Sequence, residues 1–293
     1  MNPVIYAGTA GWSYKDWVPN FYPQAQSVKF DWLKFYSQYF NCVEVNASYY
    51  TYLNTKIVEN WIEKVEEIPD FLFTVKLHQD FTHSRNIDKA KIASVTGNLN
   101  ILQKVERFGG LLLQFPYSFV CSDSNIQYLS ELFNIFDTFP KFAELRHSSW
   151  NNQKISELFS SCDVSLCTID QPEIGKSIKY EPVVINDTAY LRFHGRNVTG
   201  WQKSIKNIGK KQTYEEQSSR YEYFYSPGEL HEIGIKIKEV YDNVKKIYVI
   251  MNNHPTGYAV ANAFEMLHIL NSGKKINIPE TVLNAFPRLK NIR

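Results

Sequence analysis

Cysteine is scarce in this chain. Its four thiols, Cys42, Cys121, Cys162 and Cys167, include no C-x-x-C pair and lie within apolar stretches. A disulfide framework and a structural zinc or iron–sulfur site both need tighter clustering, so small buried thiols are the expectation. Charge of one sign is missing too: 32 Lys and Arg stand against 30 Asp and Glu, for a net +2. No global field therefore draws the chain to nucleic acid or to a membrane surface. No apolar run approaches the roughly 20 residues that span a bilayer. The opening Met1-Asn2-Pro3-Val4-Ile5-Tyr6 has no basic segment leading into an apolar one, so a cytoplasmic location is expected. A G-x-S-x-G elbow, a P-loop and an H-E-x-x-H pair are all absent from the 293 residues. Serine-triad hydrolysis, nucleotide triphosphate cleavage and that form of zinc chemistry thus lack their local signatures.

What the chain does have is alternation. Short apolar runs at Val4–Gly8, Cys42–Asn46, Leu72–Leu77, Leu111–Phe115, Phe142–Arg146, Val164–Asp170, Ala189–His194 and Ile247–Asn252 read as strands. Helix-period segments follow most of them. Ser27 precedes Val28–Phe40, Asn54 precedes Thr55–Val65, Asp88 opens Lys89–Phe108, and Ser226-Pro227 opens Gly228–Tyr241. Alternating β and α units imply a parallel sheet, and about eight of them close most economically into a (β/α)₈ TIM-like barrel with no exposed edge. An open doubly wound sheet is the rival, but no glycine-rich fingerprint follows the first strand. Gln171–Asp187, after the sixth strand, shows no convincing helix. Asn197–Tyr225, after the seventh, reads as a long polar loop. With no repeat or linker in view, residues 1–293 are expected to form one domain.

Strands of a parallel barrel are covered on both faces and should be almost wholly apolar. Here polar residues intrude near each carboxyl end. If Val43, Val45, Phe73, Val75, Ala143, Leu145, Leu191 and Phe193 face the helices, two-residue periodicity turns Glu44, Asn46, Thr74, Lys76, Glu144, Arg146, Arg192 and His194 to the barrel axis. Barrel enzymes keep their chemistry at this end. The plain alternative is an internal ion network in which Glu44, Glu144 and Asp170 neutralise the nearby cations. Apolar packing would stabilise as well, so a ligand site is the expectation.

The first reading is an enzyme of hydrolase, lyase or isomerase type acting on a small polar anion, a phosphate- or carboxylate-bearing sugar or nucleotide among the options. Glu44 and Glu144 would serve as acid and base and His194 as proton donor. Lys76 joins that catalytic set and also helps Arg146, Arg192 and Arg196 grip the anion. Asn46, Gln114, Asp170, Asn252 and Asn253 would orient substrate, with Trp12 and Tyr14 as flat contact surfaces. No cofactor is expected. The second reading is a divalent-metal-dependent phosphodiesterase or isomerase built on Glu44, Glu144, Asp170 and His194, against which the crowding cations count. The third is a non-catalytic ligand- or nucleic-acid-binding barrel. Lys203, Lys206, Lys210, Lys211 and Arg220, interleaved with Trp201, Tyr214, Tyr221 and Tyr223, would form its basic patch. Glu215, Glu216 and Glu222 dilute that patch, so a solvated face is expected there. No membrane partner is implied.

The same residues also carry a family resemblance. Gly8-Thr9-Ala10-Gly11-Trp12-Ser13-Tyr14, Phe21-Tyr22-Pro23, Phe40-Asn41-Cys42-Val43-Glu44-Val45-Asn46, Val75-Lys76 and Thr82-His83 run in order down the chain. Leu113-Gln114-Phe115-Pro116, Glu144-Leu145-Arg146-His147-Ser148-Ser149-Trp150, Arg192-Phe193-His194-Gly195-Arg196, Tyr225-Ser226 and Asn252-Asn253 complete the series. The pattern resembles the family named domain of unknown function 72. The resemblance implies a TIM barrel and a site along the strand ends, and names no reaction. Ala10, Tyr117 and Met251 depart from the usual serine, proline and phenylalanine. The first of these removes a hydroxyl, so position 10 is given no catalytic role.

Overall fold

The computed structural model describes residues 2–27, 30–207 and 213–293. Eight strands close into an all-parallel barrel in chain order. They are β1 (Val4–Ala10), β2 (Cys42–Val45), β3 (Leu72–Lys76), β4 (Phe108–Gln114), β5 (Lys141–Glu144), β6 (Val164–Asp170), β7 (Thr188–Phe193) and β8 (Lys246–Met251). Helices fill the crossovers: α1 (Trp32–Ser37), α2 (Ala47–Tyr50), α3 (Thr55–Lys64), α4 (Gln79–Thr82), α5 (Lys89–Lys104), α6 (Asp123–Ile135) and α7 (Gln153–Ser161). After β7 come α8 (Val198–Lys206), α9 (Tyr214–Ser218) and α10 (Pro227–Lys238), and after β8 come α11 (Tyr258–Leu270) and α12 (Glu280–Ala285). No helix bridges β6 and β7, as the sequence implied.

The predicted starts of α3, α5 and α10 hold because their capping side chains do. Asn54 accepts from the Lys56 amide, Asp88 from those of Ala90 and Lys91, and Ser226 forms a reciprocal box with Glu229. The first helix begins later than Ser27 suggests. Asp31 takes the Leu33 and Lys34 amides at 2.9 and 3.0 Å, which nucleates the helix there. Val28 and Lys29, the opening of the expected Val28–Phe40 helix, lie outside the described residues. The helix expected to reach Phe108 stops at Lys104, since Glu106 turns the chain at φ 56° into β4. The stretch after β7 is long, as expected, yet partly helical. Asn197 caps α8 through the Gly200 amide, and Thr213 caps α9 with a reciprocal box from Glu216.

Strand periodicity sorts the core into two clusters. Val43, Val45, Phe73, Val75, Ala143, Leu145, Leu191 and Phe193 belong to the layer between barrel and helices. Tyr6, Leu72, Leu112, Phe142, Ile169, Tyr190, Tyr248 and Ile250 fill the interior. Rings plug the barrel's lower part: Tyr6 stacks on Tyr248 at 4.9 Å between centroids, and Phe142 on Tyr190 at 4.3 Å. Gly8 lets β1 approach β2, because a Cβ there would sit 2.0 Å from the Cys42 carbonyl oxygen. Above this apolar plug the interior turns ionic.

Candidate functional site

The first polar layer is a sealed ion cluster. Glu44, Glu144 and Arg192 are at most 1% exposed. The Arg192 guanidinium donates to both Glu44 oxygens, at 2.8 and 2.7 Å, and its third nitrogen donates to Glu144. Tyr190 adds a hydroxyl to Glu44 at 2.9 Å and meets Thr74 at 2.8 Å. The other Glu144 oxygen takes the Arg146 fork, at 2.7 and 2.6 Å. Burial alone would raise the Glu144 carboxyl, but Arg192 and Arg146 outweigh it and hold it well below the carboxylate range. Stripping water from each ion costs several kcal/mol, so this geometry survives only because every charge is answered.

Asn252 donates its amide to His194 Nδ1 at 2.8 Å, which leaves the proton on Nε2, 3.6 Å from Glu144. Burial pushes the imidazole down to about 3 despite that carboxylate. His194 is therefore neutral near pH 7 and closed off, which corrects its expected role as proton donor. Glu44 and Glu144 need a similar correction. Their oxygens are occupied by guanidinium and phenol donors, so they fix the arginines rather than meet solvent.

Above the ions opens a cavity of about 220 Å³. Its wall includes Tyr14, Asn46, Tyr50, Lys76, Arg146, Arg192, Arg220, Tyr221, Asn252 and His254. Lys76 ends β3, where the Ser48 hydroxyl donates to its carbonyl at 2.6 Å. Its ammonium nitrogen sits 4.0 Å from the centroid of the Tyr49 ring. Burial, helped by Arg192, lowers this amine to about 7, with Glu144 and Glu44 opposing. Trp201 meets two guanidiniums, Arg146 and Arg220, each 5.5 Å from its ring. Burial would raise the Tyr221 phenol, but Arg220, Arg146 and Arg192 outweigh it and hold it below its ordinary value. Two residues of this wall carry a buried polar atom with no protein partner among the described residues: Asn46 through Oδ1 and Arg220 through Nε.

Several expected site residues lie elsewhere. Ile169 points inward, so Asp170 faces out. There it binds Arg196, at 2.7 Å from Nη2, and the Tyr225 hydroxyl at 2.6 Å. Gly195 turns the chain at φ +85° after β7 and carries Arg196 out of the cup. This pair borders a separate hollow of about 410 Å³ with Tyr180 and Lys236. Asn253 is buried on the helix side, donating to Tyr223 and Asn262. Gln114 is interior but spends its amide on the Phe115 carbonyl. Trp12 packs edge-on against Trp61 by an outer groove, while Tyr14 does reach the cup, stacked on His254. With Asp170 apart and both glutamates engaged, the expected metal ligands do not converge. Among the described residues, no three His, Cys, Asp or Glu side chains are grouped to hold an ion.

The basic patch is divided as well. Lys203 and Lys206 are on α8, Arg220 turns into the cup, and Lys210, Lys211 and the Tyr214 side chain lie outside the described residues. Arg220, Tyr221 and Trp201 are more central to the site than the sequence reading made them, and His254, which no strand-end pattern marks, stands in the cavity wall. The one available signal was their aromatic–basic interleaving. Among the described residues, no helix is long and apolar enough to cross a membrane.

Fold and site together define a (β/α)₈ barrel with a cation-lined cup at the carboxyl ends of its strands. The chain belongs to the family described as Protein of unknown function DUF72, whose profile matches residues 6–285. It is similar to the UPF0759 protein YunF of Bacillus subtilis, 30% identical over 286 residues that cover 91% of this chain and 95% of that protein. It also resembles the crystal structure of a DUF72 family protein from Thermotoga maritima. That comparison gives 30% identity and a TM-score of 0.79, covering 92% of this chain and 99% of the other. A DUF72 structure from Enterococcus faecalis shares the fold at 24% identity and a TM-score of 0.77, covering 92% of this chain and 96% of the other.

Proposed function

We propose that the cup is an active site for a small anion, which Arg146, Arg192 and Arg220 hold and on which Lys76 and Tyr221 act. The observation that carries this reading is the sign of the wall. Among the described residues its lining includes three arginines and a lysine and no carboxylate. The two carboxylates beneath leave a positive excess even before Lys76 is counted. In a cleft lined by one sign of charge that excess favours an anionic guest. The orphan donor Arg220 Nε calls for an acceptor atom, as a phosphate or carboxylate supplies, and Asn46 Oδ1 calls for a ligand hydroxyl or amine.

Lys76 and Tyr221 suit proton transfer because their surroundings pull both towards neutral pH, the condition for general acid–base work. Lys76 was already among the catalytic candidates; Tyr221 joins it, in place of Glu44, Glu144 and His194. The test is a thermal-shift screen of inorganic phosphate, phosphosugars, nucleotides and small organic acids. Hits should raise Tm in the wild type, and Arg220→Met should weaken them by about tenfold or more, the value of a charged hydrogen bond. If no anion stabilises the protein, or hits bind Arg220→Met equally well, the cup is not the site.

A further inference from the structure

Lys76 differs from every other cation of the cup. Arg192 and Arg146 are locked to carboxylates, and Arg220 stacks 4.7 Å from the Tyr221 ring. Among the described residues, the Lys76 amine makes no hydrogen bond or ion pair and meets the face of Tyr49. The nearest acids are taken: Glu44 by Arg192 and Tyr190, Glu144 by Arg192 and Arg146. A lysine present for structure would have been paired, and one present only as charge could be an arginine.

We propose that Lys76 is an amine nucleophile, and that the cup takes a small aldehyde or ketone bearing an anionic group, which it holds as an imine. This deepens the anion-site reading and rests on it. The Lys76 nitrogen adds to the carbonyl carbon, and one amine proton passes to the oxygen to give a carbinolamine. The C–O bond then breaks, the oxygen leaves as water, and the C=N bond forms. No oxidant or reductant enters. Three requirements of that sequence are met by residues around the amine. Attack needs an uncharged nitrogen, and burial beside Arg192 and Arg146 keeps Lys76 ready to shed its proton. Dehydration needs a proton donor, and Tyr221 lines the same cavity. The protonated imine is a cation, and Glu44 and Glu144 beneath it supply a compensating field. The remaining titratable neighbours are Tyr49 on α2 and His83 after α4, which feels the Lys76 charge. Arg146, Arg192 and Arg220 would orient the substrate's anionic group, so that the carbonyl comes to the lysine.

The experiment traps the imine on the full chain. Protein is incubated separately with pyruvate, dihydroxyacetone phosphate and acetone, reduced with cyanoborohydride, and mapped by peptide mass spectrometry. The expected result is one reduced adduct on Lys76 with pyruvate or dihydroxyacetone phosphate, none with acetone, and loss of that adduct in both Lys76→Arg and Lys76→Met. Arg220→Met should lower the yield about tenfold or more through weaker anion capture. An unlabelled Lys76 overturns the proposal, as does labelling spread equally over other lysines. Inorganic phosphate is run in parallel by thermal shift. Stabilisation by phosphate without trapping removes the imine alone, and neither signal removes the anion site with it.

Discussion

Acidification should destabilise this protein well before its carboxylates titrate, because two of its histidines are buried neutral. His194 is fully buried and His254 is 7% exposed, and burial pushes both down to about 3. In the unfolded chain a histidine titrates near 6.5. The folded value is the depressed one, so the unfolded chain binds more protons below that point. The stabilisation is complete above pH 6.5 and is lost as pH falls towards 3. Between pH 7 and 5 each histidine should cost about 2 kcal/mol and the pair about 4 kcal/mol. That sum depends little on the folded values, provided both lie below about 4. Lys76, at about 7 when folded, adds only a few tenths of a kcal/mol in the same direction. The two histidines thus govern a large share of the ~5–15 kcal/mol that holds a typical domain. Urea unfolding followed by tryptophan fluorescence at pH 7 and 5 measures the difference directly. His194→Gln should shrink the change by about 2 kcal/mol whatever it does to absolute stability. A wild-type change below about 1 kcal/mol, or an undiminished change in His194→Gln, would mean that the imidazoles take up protons inside the fold.

Other perturbations separate floor from wall. Glu144→Gln leaves two guanidiniums short of a counter-charge and should cost about 3–5 kcal/mol in urea unfolding, yet tighten phosphate binding by removing a negative charge beneath the cup. Looser binding in that variant would refute the electrostatic account. Asp170→Ala should cost less, about 1–3 kcal/mol, because Arg196 is partly exposed and keeps Glu229, while phosphate affinity stays at the wild-type value, because that ion pair borders another hollow. Acetylation of Lys76 by acetic anhydride, followed by peptide mass mapping, should be half-maximal near pH 7, against about 10.4 for ordinary surface lysines. In a spectrophotometric titration one tyrosine should ionise below the usual value of about 10, and Tyr221→Phe should abolish that component.

The barrel was legible because eight apolar runs at regular spacing admit few closures, and because two-residue alternation assigns each side chain a face. Val43 and Val45 lie outside, and Glu44 between them lies inside, as that alternation requires. Asp170 and Asn253 went astray where the rule was available but was not applied from an interior neighbour. Ile169 and Ile250 face the axis, which turns Asp170 and Asn253 outward and Asn252 inward. Arg196 was lost to the bend at Gly195, beyond which strand periodicity has no meaning. Arg220 and Tyr221 come from irregular chain after α9, whose path no hydrophobic period records.

Height along the axis escapes the sequence for a separate reason. Two residues of strand rise about 6.6 Å, so each inward polar pair should put one member in the floor and the next in the wall. On β2 and β5 that order holds: Glu44 and Glu144 are sealed, while Asn46 and Arg146 line the cavity. On β7 the order is reversed, with Arg192 reaching the cavity and His194 buried beside it. Strands of a closed barrel are tilted and staggered, so equal positions counted from each strand's end do not share a level. Register supplies what counting cannot. Glu144 pairs with Gln114 and Glu44 with Thr74, whereas Arg192 is level with Ile169 and Ile250 in the apolar interior. The Arg192 guanidinium meets Glu44 on one side and Glu144 on the other. It thus joins two carboxylates from strands three and two places away and still presents an edge to the cup. The floor's charge and the wall's charge are thus parts of one device, joined through Arg192.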